Sequence, residues 1–305
     1  QLIHINGVNL HQTQPLHMIF FCFHFSKQTA GKIGMILVQN GVMNMIDGTL
    51  IKDTCFGREL LIYLPPSYGS GENRYPVLYV HDLGDLFDPA YSNSLRSIEK
   101  LFSSQEVPEL LLVGVAPKDR ESEYTPFPKR HLLPNKREYG GKGNEYAAFL
   151  ANRLKPHIER HYRTNPSREQ TGIIGKSFGG LISVYTAFLA SETFGKIGSL
   201  SGSFWFEGIT EFMKNNRFEN KHLRIYMDVG STEGTDRDNL QKEMIPRTKE
   251  AFSLLTESAA SEKELKFVID EGGSHRLERF AKRFPEAVKW LFGSCHNSAR
   301  NGRSF

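Results

Sequence analysis

From about Asp53 onward, short apolar runs alternate with longer segments in which apolar residues recur at helical spacing. The runs "ELLIYLPP", "YPVLYVHD", "LLLVGV", "TGIIG", "KIGSLSG", "LRIYMDVG" and "LKFVIDEGG" have the length and the apolar content of strands. "YPVLYVHD" is apolar on both faces, the pattern of a strand covered from both sides. Between the runs, segments of 3.6-residue period predict helices over residues ~92–103, ~144–162, ~179–190, ~239–258 and ~276–292. Strand and helix in alternation favour parallel βαβ units joined by right-handed crossovers. The expected class is therefore α/β, a mostly parallel, doubly wound sheet with helices on both faces.

No internal repeat or low-complexity tract interrupts this region. Its one long irregular stretch, residues 116–143, is rich in Pro, Gly and charge and follows the "LLLVGV" strand. Long loops at the carboxyl ends of strands in open α/β sheets border binding sites, so this one is expected to form a pocket rim. The first part of the chain has no such logic. "MIFFCFHF", from Met18, lacks a basic flank and a small-residue cleavage site and is too short to span a bilayer. The expected division is an N-terminal extension over 1–50, a catalytic domain over 51–293 and a tail over 294–305. With no convincing signal peptide, a cytoplasmic location is the default and a membrane is not an expected partner.

Charge excludes a further class. The 38 basic and 34 acidic residues are spread along the chain with no basic block, so the formal charge of +4 does not imply nucleic acid. The 3 cysteines, Cys22, Cys55 and Cys295, are far apart and lack metal-knuckle spacing, which argues against both a disulfide framework and a zinc site. "HIERH" sets His157 and His161 on one helix face, but Ile158 stands where a zinc protease has its glutamate, and a third ligand is not in view. No metal and no cofactor are expected.

The candidate chemistry lies in "TGIIGKSFGGLISVY", where Ser177 occupies a Gly-x-Ser-x-Gly frame. That frame is common by chance, but here it stands between a strand and a helix, the context in which it acts as a nucleophile elbow. The serine takes a strained backbone conformation there, and side chains at Gly175 and Gly179 would crowd the neighbouring elements. Gly180 lets the helix approach closely. The helix N-terminus beside Ser177 stabilises developing negative charge, and the Phe178 N–H is expected to be half of an oxyanion hole. The second donor is expected from "DLGDLFDP", at Gly84 or Leu83, with Gly84 preferred.

A serine hydroxyl needs a base and a carboxylate to orient that base. "IYMDVGSTEGTD" places Glu233 in a loop after a strand, and "FVIDEGGSHRLERF" places His275 after the last strand, beside paired glycines. The chain order Ser177, Glu233, His275 is that of α/β-hydrolases, with Asp228 and Asp236 as rival acids. "SGSFWF" brings Phe204, Trp205 and Phe206 to a strand end, where aromatic rings line pockets as readily as they pack cores. Tyr124 and Pro126 stand similarly in the rim loop. Lys176 receives no role.

In order along the chain, "YPVLYVHDLGDLFDP", "GIIGKSFGGLIS", "IGSLSGSFWF", "DVGSTEG" and "EGGSH" resemble the putative-esterase family of α/β-hydrolases. That family includes enterochelin-type siderophore esterases, S-formylglutathione hydrolases, feruloyl and acetyl-xylan esterases and mycolyltransferases. The resemblance covers roughly residues 53 to 293. It implies an α/β-hydrolase fold, Ser177 as nucleophile, His275 as base and Glu233 at the acid position, where much of the family has Asp; the short connection between "SLSG" and "LRIYMDVG" leaves no room for a large lid domain. The implied activity is a serine carboxylic ester hydrolase working through an acyl-enzyme on a small-molecule ester, such as a siderophore or a carbohydrate acyl ester. The alternatives are an S-formylglutathione-type thioesterase, an acyltransferase on the same triad, and an inactive binding protein on this fold. Trp205, Phe204 and Tyr124 are the expected substrate contacts. Oligomeric state is not set by these residues.

Overall fold

The computed structural model describes residues 36–39, 42–259 and 261–293. Strands β1 (Ile36–Gln39) and β2 (Val42–Met45) form an antiparallel two-stranded sheet. The main sheet begins with β3 (Thr49–Cys55) and β4 (Arg58–Leu64), an antiparallel pair, followed by β5 (Val77–Val80), helix α1 (Ser94–Ser103) and β6 (Leu111–Val115). The rim segment holds a short helix α2 (Arg120–Glu123) and a two-residue pair, β7 (Pro128–Lys129) with β8 (Tyr139–Gly140). Helices α3 (Gly143–Phe149) and α4 (Lys155–His161) follow, joined through a π-helical turn at Leu150–Leu154. The second half runs β9 (Thr171–Lys176), α5 (Phe178–Leu189), β10 (Lys196–Leu200), α6 (Ile209–Asn215), β11 (Arg224–Gly230), α7 (Met244–Ser258), β12 (Leu265–Asp270) and α8 (Leu277–Phe292).

The spatial order is β12-β11-β10-β9-β5-β6-β4-β3. From β6 to β12 all neighbours are parallel, while β4 runs antiparallel to both β6 and β3. This is the α/β-hydrolase arrangement expected from the sequence. The central strands are buried at every position, because two apolar layers cover them. One layer contains the α3, α4, α5 and α7 residues Tyr146, Ile158, Leu181 and Leu255, and the other the α1 and α8 residues Ile98 and Phe284.

The expected boundary at residue 51 falls inside β3, whose pairing with β4 starts at Thr49. The ordered body also takes in the turn before it. Buried Glu99 of α1 accepts the N–H groups of Asp47 and Gly48, at 2.8 and 2.9 Å, and the Tyr63 hydroxyl, at 2.9 Å. The rest of the expected extension, residues 1–35, 40 and 41, and the expected tail over 294–305 lie outside the described residues. No helix among the described residues is long and apolar enough to cross a membrane. Strand β3, the short helices α2 and α6 and the β7–β8 pair are not in the periodic pattern, being too short or too polar on one face to register there.

Candidate active site

The parallel strands end on one edge of the sheet, and the turns that leave them converge there. The turn between β9 and α5 is the sharpest. Ser177 has φ 56° and ψ −124°, outside the usual regions for an L-residue, and its carbonyl accepts the Leu181 N–H of the first turn of α5 at 3.0 Å. Such a conformation costs about 1–3 kcal/mol and persists only where the surroundings impose it. Here the Ser177 N–H donates to Leu200 O at 3.0 Å and Ser177 O accepts the Ser203 N–H at 3.1 Å, so β10 and its exit loop grip the elbow from both sides. The glycine frame makes this close approach possible. A Cβ at Gly175 would lie 2.6 Å from Gly179 C, and one at Gly180 would lie 2.6 Å from Ser199 Oγ. Gly179 is less constrained than expected, since its nearest neighbour to an added Cβ, His81 Cβ, is 3.3 Å away.

The turns after β11 and β12 are zipped together. Ser231 N–H donates to Asp270 O and Thr232 N–H to Gly273 O, each at 3.0 Å, and the Thr232 hydroxyl adds a bond to Gly273 O at 2.7 Å. Gly230 is needed because an added Cβ would meet Gly273 O at 2.4 Å. These contacts bring Glu233 and His275 face to face.

The result is a continuous relay. His275 Nδ1 lies 2.6 Å from Glu233 Oε2, and His275 Nε2 lies 3.0 Å from Ser177 Oγ. With a carboxylate at Nδ1 that nitrogen carries the proton, so Nε2 is the acceptor for the Ser177 hydroxyl. The other Glu233 oxygen accepts the Ser201 hydroxyl at 2.5 Å and the Gly230 N–H at 2.9 Å. Burial opposes ionisation of Glu233, but the His275, Ser201 and Gly230 hydrogen bonds outweigh it and hold its carboxyl below the usual range.

Of the rival acids, Asp228 is fully buried in β11, accepts the Ser201 N–H at 3.1 Å and lies 2.9 Å from Arg283 Nη1. Burial raises its carboxyl to about 7, against the opposing pull of Arg283. Asp236 is exposed and faces Arg237.

A family model described as "Putative esterase" matches residues 57–291. The chain belongs to this esterase family. It is a carboxylic ester hydrolase. It is similar to the uncharacterized protein YbbA of Bacillus subtilis (strain 168), at 35% identity over 246 residues that make up 81% of this chain and 97% of YbbA. Among solved structures, it is similar to an IroE-like serine hydrolase from Shewanella oneidensis, with a TM-score of 0.66 and 21% identity over 80% of each chain. It is also similar to the enterobactin esterase FES from Shigella flexneri, with a TM-score of 0.62 and 17% identity over 81% of this chain and 58% of that one. At these identities the structural likeness is one of fold.

In this esterase a small pocket beside Ser177, Glu233 and His275 is lined by Trp205, Arg237, Gln241 and Met244. Two expected substrate contacts lie elsewhere. Phe204 is 1% exposed and belongs to the core, its ring closing over Gly202, where an added Cβ would meet Phe204 Cε2 at 2.5 Å. Tyr124 is 0% exposed; its ring packs on His81 and Tyr146, and its hydroxyl accepts the Asp82 N–H at 3.0 Å. The Gly84 N–H, preferred as the second oxyanion donor, donates instead to His81 O at 3.1 Å. A tight turn directs that N–H back to its own strand end, which leaves Leu83, the other residue considered there.

The rim segment does border the site, for Tyr139 meets the Phe178 and Phe206 rings edge-on at 5.5 Å. His157 and His161 lie ring against ring at 4.1 Å on α4, with the His161 Nδ1 2.8 Å from His157 O. No group of three or more His, Cys, Asp or Glu among the described residues could hold a metal ion.

Three further residues at the site, Ser201, Ser203 and Arg283, are not among the sequence candidates. Arg283 Nη2 donates to Ser201 Oγ at 2.9 Å, which turns the Ser201 proton toward Glu233, and Ser203 Oγ is 3.2 Å from Ser177 Oγ. An arginine amid the apolar positions of the last helix was the one available signal, since a charge buried in a helix face needs a partner.

Proposed function

We propose that this esterase is a serine hydrolase in which Ser177, His275 and Glu233 act as a catalytic triad. The observation that carries the reading is the unbroken Glu233–His275–Ser177 relay at a strained strand-to-helix elbow. His275 Nε2 takes the Ser177 proton as Oγ bonds to the ester carbonyl carbon. The resulting oxyanion is held by the Phe178 N–H, at the start of α5, and by the Leu83 N–H. Collapse breaks the bond to the alcohol oxygen, which leaves with the proton from His275. Water then repeats the steps on the acyl-enzyme and releases the acid. Glu233 keeps Nδ1 protonated and stabilises the imidazolium formed in each half.

The substrate is proposed to be a soluble ester with a bulky group, such as a siderophore or a carbohydrate acyl ester. The connection from β10 to β11 holds one short helix, Ile209–Asn215, and no lid domain, which supports an open site with access for water. Structures of similar fold bear the names ferulic acid esterase and enterobactin esterase, which is compatible with that class. Hydrolysis of p-nitrophenyl acetate and butyrate is expected, and Ser177→Ala and His275→Ala should each lower kcat by about 10³-fold or more. A fluorophosphonate probe should label the wild type and not Ser177→Ala. Full activity in Ser177→Ala would overturn the triad.

A further inference from the structure

The turn that carries the second oxyanion donor is built from an unusual backbone. Asp82, Leu83 and Gly84 have φ 57°, 56° and 74°, three successive residues in the left-handed region, two of which carry side chains. Glycine adopts this conformation freely and aspartate tolerates it, but leucine does not, so tertiary contacts must impose it on Leu83. The side-chain contacts of the turn converge on Asp82. Arg120 of α2 grips its carboxylate at both oxygens, Nε to Oδ1 at 2.7 Å and Nη2 to Oδ2 at 3.0 Å. Lys176 Nζ reaches the same Oδ2 at 2.9 Å and Asp85 Oδ2 at 2.8 Å. The Asp82 N–H is fixed as well, by the buried Tyr124 hydroxyl.

The anchors of this cluster matter more than its charge. Lys176 directly precedes Ser177, so its ammonium ties the turn to the last residue of β9 before the elbow. The Arg120 guanidinium lies 5.9 Å from the Phe178 ring centroid and 5.4 Å from that of Tyr124, so it spans from the turn to the residue that supplies the other oxyanion donor. Two cations face two carboxylates, which leaves little net field at the nucleophile. The Asp82 and Lys176 side chains are only 10% and 14% exposed, so these pairs are shielded from solvent. The Lys176 ammonium is engaged on two sides and is not free to meet substrate. Its consequence is mechanical.

We propose that Lys176 and Arg120, joined at the Asp82 carboxylate, are positioning residues that set the distance between the two oxyanion-hole donors, the Phe178 N–H and the Leu83 N–H. The proposal rests on Ser177 being the nucleophile. A donor misplaced by a fraction of an ångström weakens the bond to the oxyanion while leaving the ground-state carbonyl little affected, so the loss falls on kcat rather than KM.

The test uses the full chain with p-nitrophenyl butyrate, comparing wild type, Lys176→Met, Arg120→Met and Lys176→Arg. The two methionine variants are expected to lose roughly 10- to 100-fold in kcat with KM changed less than about threefold. An aryl trifluoromethyl ketone, which forms an oxyanion on the serine, should bind more weakly by a similar factor. Lys176→Arg, which can still reach Asp82, should recover most of the loss. Unchanged kcat in both folded methionine variants, or a loss confined to KM, overturns the proposal. If the methionine variants do not fold, Asp82→Asn replaces them with the same expected kcat loss, and wild-type kcat there is equally fatal. Ser177→Ala is run alongside: full activity in that variant would show that the nucleophile is misassigned, a failure distinct from that of the clamp.

Discussion

Glu233 shows how much is asked of one side chain at this site. Its Oε2 faces His275, while Oε1 is occupied by the Ser201 hydroxyl and the Gly230 N–H, so the carboxylate has one orientation available. Asp228, five positions earlier, is as acidic in type but points at Arg283 and Ser201 from the strand interior. The two carboxylates are therefore expected to separate function from stability. Glu233→Gln should reduce kcat by roughly 10²- to 10⁴-fold while the fold survives, because an amide no longer enforces the Nδ1–H tautomer. Asp228→Asn should instead leave kcat within about threefold and lower stability by about 1–2 kcal/mol, since Arg283 loses its nearest carboxylate, at 2.9 Å, but keeps Glu233 at 3.6 Å and Asp270 at 3.7 Å. Steady-state kinetics and urea unfolding on both variants check the pair of outcomes, and a mirror-image result would make Asp228 the acid.

Among the elements, the β9–elbow–α5 unit has the tightest tolerances. Gly180 faces Ser199 Oγ and Gly202 Cα at 2.6 and 3.0 Å from a hypothetical Cβ, so Gly180→Ala has to push α5 away from β10. A loss of about 1–3 kcal/mol is expected from such overpacking, read as a lower urea midpoint at unchanged m-value. Gly179→Ala, with no neighbour closer than 3.3 Å, should cost less than Gly180→Ala. Reversal of that order would mean that the helix pivots about Gly179 rather than resting on β10. The alternating pattern located this unit, because β9 and α5 are predominantly apolar and of ordinary length. The pattern could not reveal that the exit loop of β10, Ser201 to Ser203, clasps the elbow from the other side, because that contact joins residues distant in sequence.

At the scale of the whole molecule, the site edge of the sheet is buried deeply enough to couple stability to pH. His81, at the end of β5, is 1% exposed, and its Nδ1 is 3.0 Å from the Tyr146 hydroxyl. Burial, reinforced by Arg120 and Lys176 against the pull of Asp82, lowers its pKa from 6.5 to about 3. The unfolded chain therefore binds a proton here that the folded chain refuses, and stability falls as pH drops from about 6.5 toward 3. Asp228, raised to about 7, has the opposite sign: its contribution is complete below pH 4 and is lost as pH rises through 7. The difference in unfolding free energy between wild type and His81→Asn isolates the histidine, and it should shrink as pH falls below 6.5. A constant difference would show that His81 titrates alike in both states.

The sequence by itself determined the class of fold, the strand-to-helix position of Ser177 and the candidates Glu233 and His275. Those rest on local periodicity and on glycines that a turn requires, which neighbouring residues specify. Tertiary structure alone decided that Tyr124 and Phe204 are interior, that the Gly84 N–H turns back to His81, that Arg283 and Ser201 reach Glu233, and that Lys176 and Arg120 meet at Asp82. The physical reason is that a buried polar group is defined by the partner it finds across the fold, and no pattern along the chain records that partner.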